Sequence, residues 1–247
     1  MFLRRMFSRR WFSATIFVVA GTVILIRLGI WQLDRLESRR AAILHFHEVW
    51  SMPTLDFNSS VPETILEMEY RAVKVSGEYD FDNQIAIRNQ YFNDQYGYHL
   101  LTPLQFSGKA VFVDRGWIPA DSNDSASEWR KYDEPRAVEV SVWIRLGQGK
   151  PAFGGVDDVL PAGGSRLEIW NNADVETIAG QVPYPMLPIY IQPNADANDV
   201  TPPIPVQPEV DLTEGPHLGY ALQWFIFAGL LFFGYPFFLK RQDSQNA

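Results

Sequence analysis

The sequence predicts a membrane-anchored α+β protein, with two transmembrane helices flanking a mostly-β extracytoplasmic domain (a small barrel or curved antiparallel sheet with short helices). Three observations predict it. Two long uncharged apolar runs lie near the chain ends, basic residues stand outside each run, and the stretch between them is acidic and rich in alternating apolar residues. The 247-residue chain carries a formal charge of −8, yet residues 1–10 carry +4, while residues 34–217 hold 14 basic and 28 acidic side chains.

Residues 1–10 form a basic tail through Arg4, Arg5, Arg9 and Arg10. Residues 11–32 are the first transmembrane helix. Trp11 to Ile26 is free of charge, and after Arg27 the apolar character resumes through Leu28, Gly29, Ile30 and Trp31. That makes a run of roughly the ~20 residues a bilayer core requires. No A-x-A-like cleavage site follows, so the segment reads as an anchor and not as a removed signal peptide. Residues 217–239 are the second span, with an uncharged run from Leu218 to Leu239, and 240–247 are a second basic tail through Lys240 and Arg241. Aromatic rings at Trp11, Trp31, Tyr220, Trp224 and Tyr235 lie toward the span ends, where amphipathic rings favour the interface. Lys and Arg stay on the cytoplasmic side of a membrane. Both termini are therefore expected on the cytoplasmic or matrix side of a bacterial-type plasma membrane or mitochondrial inner membrane, with residues 33–216 outside.

Residues 33–50 continue the first helix outward by a few turns until Pro53 ends it. Strands are expected at Tyr70 to Tyr79, Gln84 to Asn89, Tyr98 to Leu104, Ala110 to Trp117 and Ala137 to Leu146, with shorter ones at Ser165 to Trp170 and Leu187 to Ile191. Val138, Val140, Val142 and Ile144 share one face. Ser107-Gly108-Lys109 is a hairpin turn. Two short helices are expected, Ser125 to Tyr132 and Asp174 to Ala179, the latter capped by Asn171 or Asn172. Six or seven short strands of this kind make a small barrel or a strongly curved sheet. Residues 193–216, crowded with proline, read as an extended connector back to the membrane.

Whole classes of chemistry are excluded. Without cysteine there are no disulfides, zinc–thiolate sites, iron–sulfur ligands or thiol copper relays. A net-acidic chain does not bind nucleic acid through phosphate counterion release. There is no nucleophile elbow, P-loop, HExxH or dinucleotide fingerprint, and no paired carboxylates stand out, so no enzyme class is supported. His45 and His47, two apart on a helix, point about 200° apart and cannot share a metal. His99 reads as a satisfied structural histidine within a strand.

Polar groups in the spans are more telling, because each is costly in lipid. Arg27 and Gln223 lie at similar depths and could face each other. His217, Tyr220, Ala221, Trp224 and Ala228 fall on one helix face. A planar hydrophobic ligand such as a haem could lie there with His217 as an axial iron ligand, and Arg27 or Arg35 could pair with its propionates. A plain interfacial histidine on a helix-packing face is the other reading of the same residues.

The pieces LGIWQLDRLESRR (28–40), YRAVKVSGEY (70–79), RNQ (88–90), GYHLLTPL (97–104), VFVDRGWIP (111–119) and GPHLGYALQWFIFA (215–228) resemble the surfeit-locus family of cytochrome c oxidase assembly factors. Order, spacing and the anchor–domain–anchor layout are similar over almost the whole chain, and residues 145–170 match weakly. The resemblance implies assembly of a haem–copper terminal oxidase by a non-enzymatic, chaperone-like membrane protein that assists haem a insertion into the catalytic subunit or stabilisation of that subunit. It also implies haem a as a candidate cofactor and, besides the lipid bilayer, the oxidase catalytic subunit and a haem a synthesis enzyme as partners. The alternative is a haem-free anchored protein whose acidic outer domain docks a respiratory-complex partner. Carried onto this chain, the family's motif positions are Gln32, Arg88, Asn89, Gly97, Tyr98, Arg115, Gly116, Trp117, His217, Tyr220, Gln223 and Trp224, beside Arg35 and Arg27. Many relatives carry Asn where Pro216 stands here, which removes a polar group next to His217.

Overall fold

The structure, a computed structural model, describes residues 8–121, 123, 125–149, 155–160, 166–194, 201–206 and 210–244. Parts of the basic tails, of the Gly-rich 147–164 loop and of the 193–216 connector lie outside the described residues, as does Ser165. The chain divides into two compact units, Met1–His45 with Asp211–Ala247, and Phe46–Val210.

The first unit is a helix pair. Helix α1 runs Phe12–Trp50 without interruption. A second helix, numbered α4 in chain order, runs His217–Ser244. Each contains a stretch long and apolar enough to cross a membrane, and most of each stretch is exposed. Thr15, Thr22, Gly29 and Leu36 of α1 are buried at intervals of seven, as are Ala221, Ala228 and Tyr235 of α4. A seven-residue repeat is the seam of two helices packed side by side. Small residues on that seam let the backbones approach. A Cβ on Gly29 would sit 2.6 Å from the Phe225 ring, so a larger residue there would require that ring to move. Near the other end of the pair, Thr15 Oγ1 and Tyr235 OH share a 2.7 Å hydrogen bond. Because Thr15 meets Tyr235 while Gly29 meets Phe225, the two helices run antiparallel.

The second unit is a closed five-stranded barrel with added strands. Its strands are β1 Leu55–Asp56, β2 Ala72–Tyr79, β3 Ile85–Phe92, β4 Gln95–Phe106, β5 Lys109–Pro119, β6 Ala137–Leu146, β7 Ile169–Trp170 and β8 Met186–Pro193. The order β2-β6-β8-β5-β4 closes where Glu78 and Tyr79 of β2 pair with Gln105 and Leu104 of β4. Closure removes the open edges that an acidic but β-rich chain would otherwise expose. Only the β5–β8 pairing within the ring is parallel. The ring strands send alternating residues into the barrel: Val73, Val75 and Tyr79, Val142 and Ile144, Ile189 and Ile191, Val111 and Val113, Leu104 and Phe106. Period-2 patterning demands this arrangement, and each fully buried side chain of this size contributes about 1.5–3 kcal/mol. Strands β4 and β5 are buried on both faces. Their outer sides meet Trp170, Val175 and Ile178 in one cluster and Trp129 in another.

The expected turn at Ser107-Gly108 has positive φ at both residues, the geometry of a two-residue hairpin turn. An unanticipated second one, Asn93-Asp94, joins β3 to β4 with φ of +49° and +62°. Asn and Asp tolerate this region, so the turn needs no glycine. β8 is central although it contains Pro188. The β5–β8 register shifts between Ala110 and Phe112, and in such an irregularity the missing N–H is tolerated.

The structure corrects three local expectations. The cap of helix α3 (Val175–Ala179) is Asp174, whose carboxylate accepts from Thr177 N–H at 3.1 Å. Asn171 and Asn172 are engaged by Asp158 instead. Helix α2 is Ala126–Trp129 and passes into a single 3₁₀ turn at Arg130–Tyr132, a division of the predicted helix. The connector is not merely extended, because Ile204 is buried and pairs with Trp117 through N–H···O bonds of 2.7 and 2.8 Å.

Candidate functional site

In the helix pair, α1 carries Gln32 and α4 opens with His217. His217 Nδ1 lies 2.8 Å from Gln32 Oε1. An amide oxygen only accepts, so Nδ1–H donates and the Nε2 lone pair stays available. The amide thereby fixes both the tautomer and the ring orientation, as partners of ligating imidazoles do. Gly215, with φ +70°, packs under the ring, and a Cβ there would lie 3.5 Å from Nε2. The positive φ favours glycine at this position, while a Cβ there would make only ordinary van der Waals contact with the ring. The segment leading into α4 is strapped to α1. Arg40 makes two 2.8 Å hydrogen bonds to Glu214, and Arg39 donates to the carbonyls of Thr213 and Asp211 at 3.0 and 2.5 Å. Arg40 holds the Glu214 carboxylate below its usual pKa.

The remaining span residues divide by azimuth. Ala221 and Ala228 are buried in the seam and Trp224 is half-buried, whereas Tyr220 is 48% exposed. The predicted single face is therefore split between helix packing and the outside. Arg27 and Gln223 are both exposed, and no hydrogen bond joins them among the described residues. Similar depth did not bring them together, because rotation about each helix axis points them outward. Gln32, five residues beyond Arg27, is turned about 140° from it and meets His217. Arg35, one turn past Gln32, is exposed.

The residues fit a haem in two respects: the His217 Nδ1 engaged by Gln32, which turns Nε2 away from that bond, and exposed cations at Arg27 and Arg35. The donor set holds one imidazole and no second ligand. Among the described residues no cluster of three His, Asp or Glu residues suits a bare metal ion.

The motif positions of the barrel are built differently. Arg115 is buried, its side chain 1% exposed. It donates to Glu134 Oε1 at 2.8 Å, to Gln84 Oε1 at 2.9 Å and to the Tyr132 carbonyl, and it packs over the Tyr79 and Phe81 rings. It is thus turned inward and is not presented at a membrane surface. Gly116, at φ +123°, brings its backbone against Ile204, where a Cβ would be 2.3 Å from the carbonyl oxygen. Trp117 is buried against Phe92 and lies on Gly97, where a Cβ would be 2.4 Å from its Nε1. Tyr98 is buried beside Tyr96. Asn89, with φ +63°, sits in the β-bulge between Ile87 and Gln90, and Arg88 reaches the Ile169 carbonyl at 3.5 Å.

Two groups escaped the sequence reading. The Gln32–His217 pair joins residues 185 positions apart, and no local signal in the sequence links them. Its strand position marks His99 as a satisfied histidine but does not name its partner, Asp114. Its Nδ1 lies 2.9 Å from Asp114 Oδ2 in a buried cluster with Gln192. Burial lowers the His99 pKa, but the Asp114 carboxylate outweighs it and leaves the pKa raised.

The model of the SURF1 family matches residues 19–229. The chain is 24% identical over 235 residues to a SURF1-like protein of Rickettsia bellii, covering 93% of this chain and 92% of that one. It is 24% identical over 241 residues to a SURF1-like protein of Caenorhabditis elegans, covering 88% and 71%. Against Surfeit locus protein 1 of Rattus norvegicus it is 22% identical over 217 residues, covering 80% and 66%.

Proposed function

The chain belongs to the SURF1 family, and from that premise we propose that it is a two-span, non-catalytic assembly factor for a haem–copper terminal oxidase, assisting haem a insertion into the catalytic subunit. Both termini lie on the cytoplasmic or matrix side and the barrel lies outside, as the arginines before α1 and Lys240-Arg241 favour. The observation that carries the haem reading is the His217–Gln32 hydrogen bond at 2.8 Å, which leaves Nε2 as an oriented acceptor site. Haem a here is cargo, destined for the oxidase. His217 would hold the iron through Nε2, and Gln32, accepting from Nδ1–H, would keep the imidazole in the tautomer that leaves Nε2 free. Arg35 and Arg27 offer cations to the propionates. Tyr220 and Trp224 give the macrocycle apolar and aromatic surface.

The test is the visible spectrum of the detergent-purified protein from cells that make haem a. A haem band is expected from the wild-type chain, and a weakened band from His217→Ala. A spectrum that His217→Ala leaves unchanged removes the ligand assignment. A wild-type chain without any haem band, whose deletion still lowers oxidase activity, is the haem-free docking protein. Deletion that leaves oxidase activity intact overturns the assembly role itself.

A further inference from the structure

His217 is the first residue of α4, at an end where the N–H groups of a helix have no partners within it. The first turn of α4 carries no acidic side chain to cap them. The segment before the helix supplies the hold instead. It runs back along α1 in the opposite chain direction: His217 meets Gln32, and Glu214 meets Arg40. Arg40 stands about 12 Å beyond Gln32 on the α1 axis, at 1.5 Å per residue. Its guanidinium grips Glu214 as a fork, Nε to Oε1 and Nη2 to Oε2, both at 2.8 Å. A forked pair fixes direction as well as distance. Arg39 donates to the Thr213 carbonyl at 3.0 Å and to the Asp211 carbonyl at 2.5 Å, and it pairs with the Asp211 carboxylate at 3.0 Å. Asp211 Oδ1 in turn accepts from Thr213 N–H at 2.9 Å. Between Glu214 and His217 stand only Gly215, at φ +70°, and Pro216, whose ring fixes φ. The Pro216 carbonyl accepts from Tyr220 N–H at 3.1 Å and so belongs to the first turn of α4. A shift of Glu214 is therefore passed to the imidazole with little slack.

We infer that Arg39 and Arg40 are positioning residues for His217: by clasping residues 211–214 against α1, they hold the imidazole on Gln32 with Nε2 turned away from that bond. What this means for haem rests on the reading above, whereas the hold on the imidazole does not. Consecutive residues of a helix point about 100° apart, yet both guanidinium groups turn to the same short segment. The carbonyls that Arg39 takes belong to a stretch outside any helix or strand, where the backbone has no ladder to satisfy it. Both ion pairs are exposed, and each alone is weak. The helix pair itself is joined by its seam, at Gly29 against Phe225 and at Thr15 with Tyr235. The clasp is thus of a strength that places one side chain, and not of one that holds two helices together.

The test is imidazole NMR on the full-length protein in detergent, with histidine-selective ¹⁵N labelling, in alkaline buffer where a neutral imidazole reports its tautomer. The chain has four histidines, and the signal missing from His217→Ala identifies residue 217. In the wild-type chain that signal is expected to show one protonated and one bare nitrogen, with the proton on Nδ1. Arg40→Glu, which sets two carboxylates against each other, and Arg39→Gln are each expected to draw the two nitrogen shifts toward their average. The same variants are expected to bind added haemin, followed by absorbance, up to about fivefold more weakly, the worth of an exposed pair. Their melting temperature is expected to stay close to that of the wild-type chain. Arg40→Glu combined with Glu214→Arg is expected to restore the imidazole signal and the haemin affinity together. An imidazole signal that neither single variant changes overturns the inference, whether melting temperature falls, as for a merely architectural clasp, or haemin binding weakens, as for arginines that touch the haem themselves. An exchanged pair no better than Arg40→Glu alone overturns it too. A wild-type chain that binds no haemin, but whose imidazole follows the clasp, removes the haem reading and supports the positioning role.

Discussion

Arg115 in the barrel and Arg35 in the helix pair are both motif arginines, and their surroundings are opposite. Arg115 is buried with every neighbour chosen: a carboxylate, an amide, a backbone carbonyl and two aromatic faces. Arg35 is exposed on α1. The same division holds for the glycines. Gly97 and Gly116 are required because other parts of the barrel press on them, whereas Gly215 is favoured only by its φ of +70° and a Cβ there would meet His217 at ordinary contact distance. In the barrel a motif residue is consumed by the fold. In the helix pair it is held in place with part of its bonding capacity unused, and that unused capacity is what a ligand can take.

The largest test of this division is Arg115→Leu. It leaves Glu134, Gln84 and the Tyr132 carbonyl without their cation, and is expected to cost about 3–5 kcal/mol in denaturant unfolding. Intact stability together with lost partner binding would reverse the assignment of Arg115. Gly116→Ala comes next. Its Cβ meets the Ile204 oxygen at 2.3 Å and φ is +123°, so a loss of about 1–3 kcal/mol is expected by the same measurement. His99 gives a pH signature. Its folded pKa is raised by Asp114, so its contribution is complete below the unfolded value of about 6.5 and disappears as pH rises through the folded value. Melting temperature is expected to fall over this range in the wild-type chain, and the fall should shrink in His99→Gln. The smallest stability effect belongs to His217→Ala. It removes a half-buried hydrogen bond at a helix end and should change unfolding by no more than about 0.5–1.5 kcal/mol, whereas any haem band of the purified chain should weaken. A large loss of stability there would make His217 an architectural residue like Arg115.

Much of the fold is legible in the chain. The apolar runs, the alternation in Ala137–Leu146 and the Ser107-Gly108 turn are local patterns, and strands and helices form on local patterns. The Asn93-Asp94 turn was legible too, but passes unnoticed when glycine is taken as the sign of a hairpin. Pro188 in a central strand was not legible, since only the register shift against β5 makes it acceptable. The candidate site was half legible. His217 and its helix face follow from spacing, yet Tyr220 and Ala221 lie on different sides of the seam, and Arg27 and Gln223 share a depth without sharing a direction.

Hydropathy and charge along the chain determined by themselves two membrane-length helices, an acidic β-rich middle and the strand faces that fill a barrel, because each depends on the period of side chains along one element. Only the tertiary structure decided which polar groups meet. Gln32 finds His217 across 185 positions, and Asp114 gathers His99 from 15 positions away and Gln192 from 78. Those pairings depend on the rotation of one helix against another and on the register of strands around a closed ring. Both are set by the packing of Gly29 on Phe225 and of five strands on a shared interior, and no local period records either.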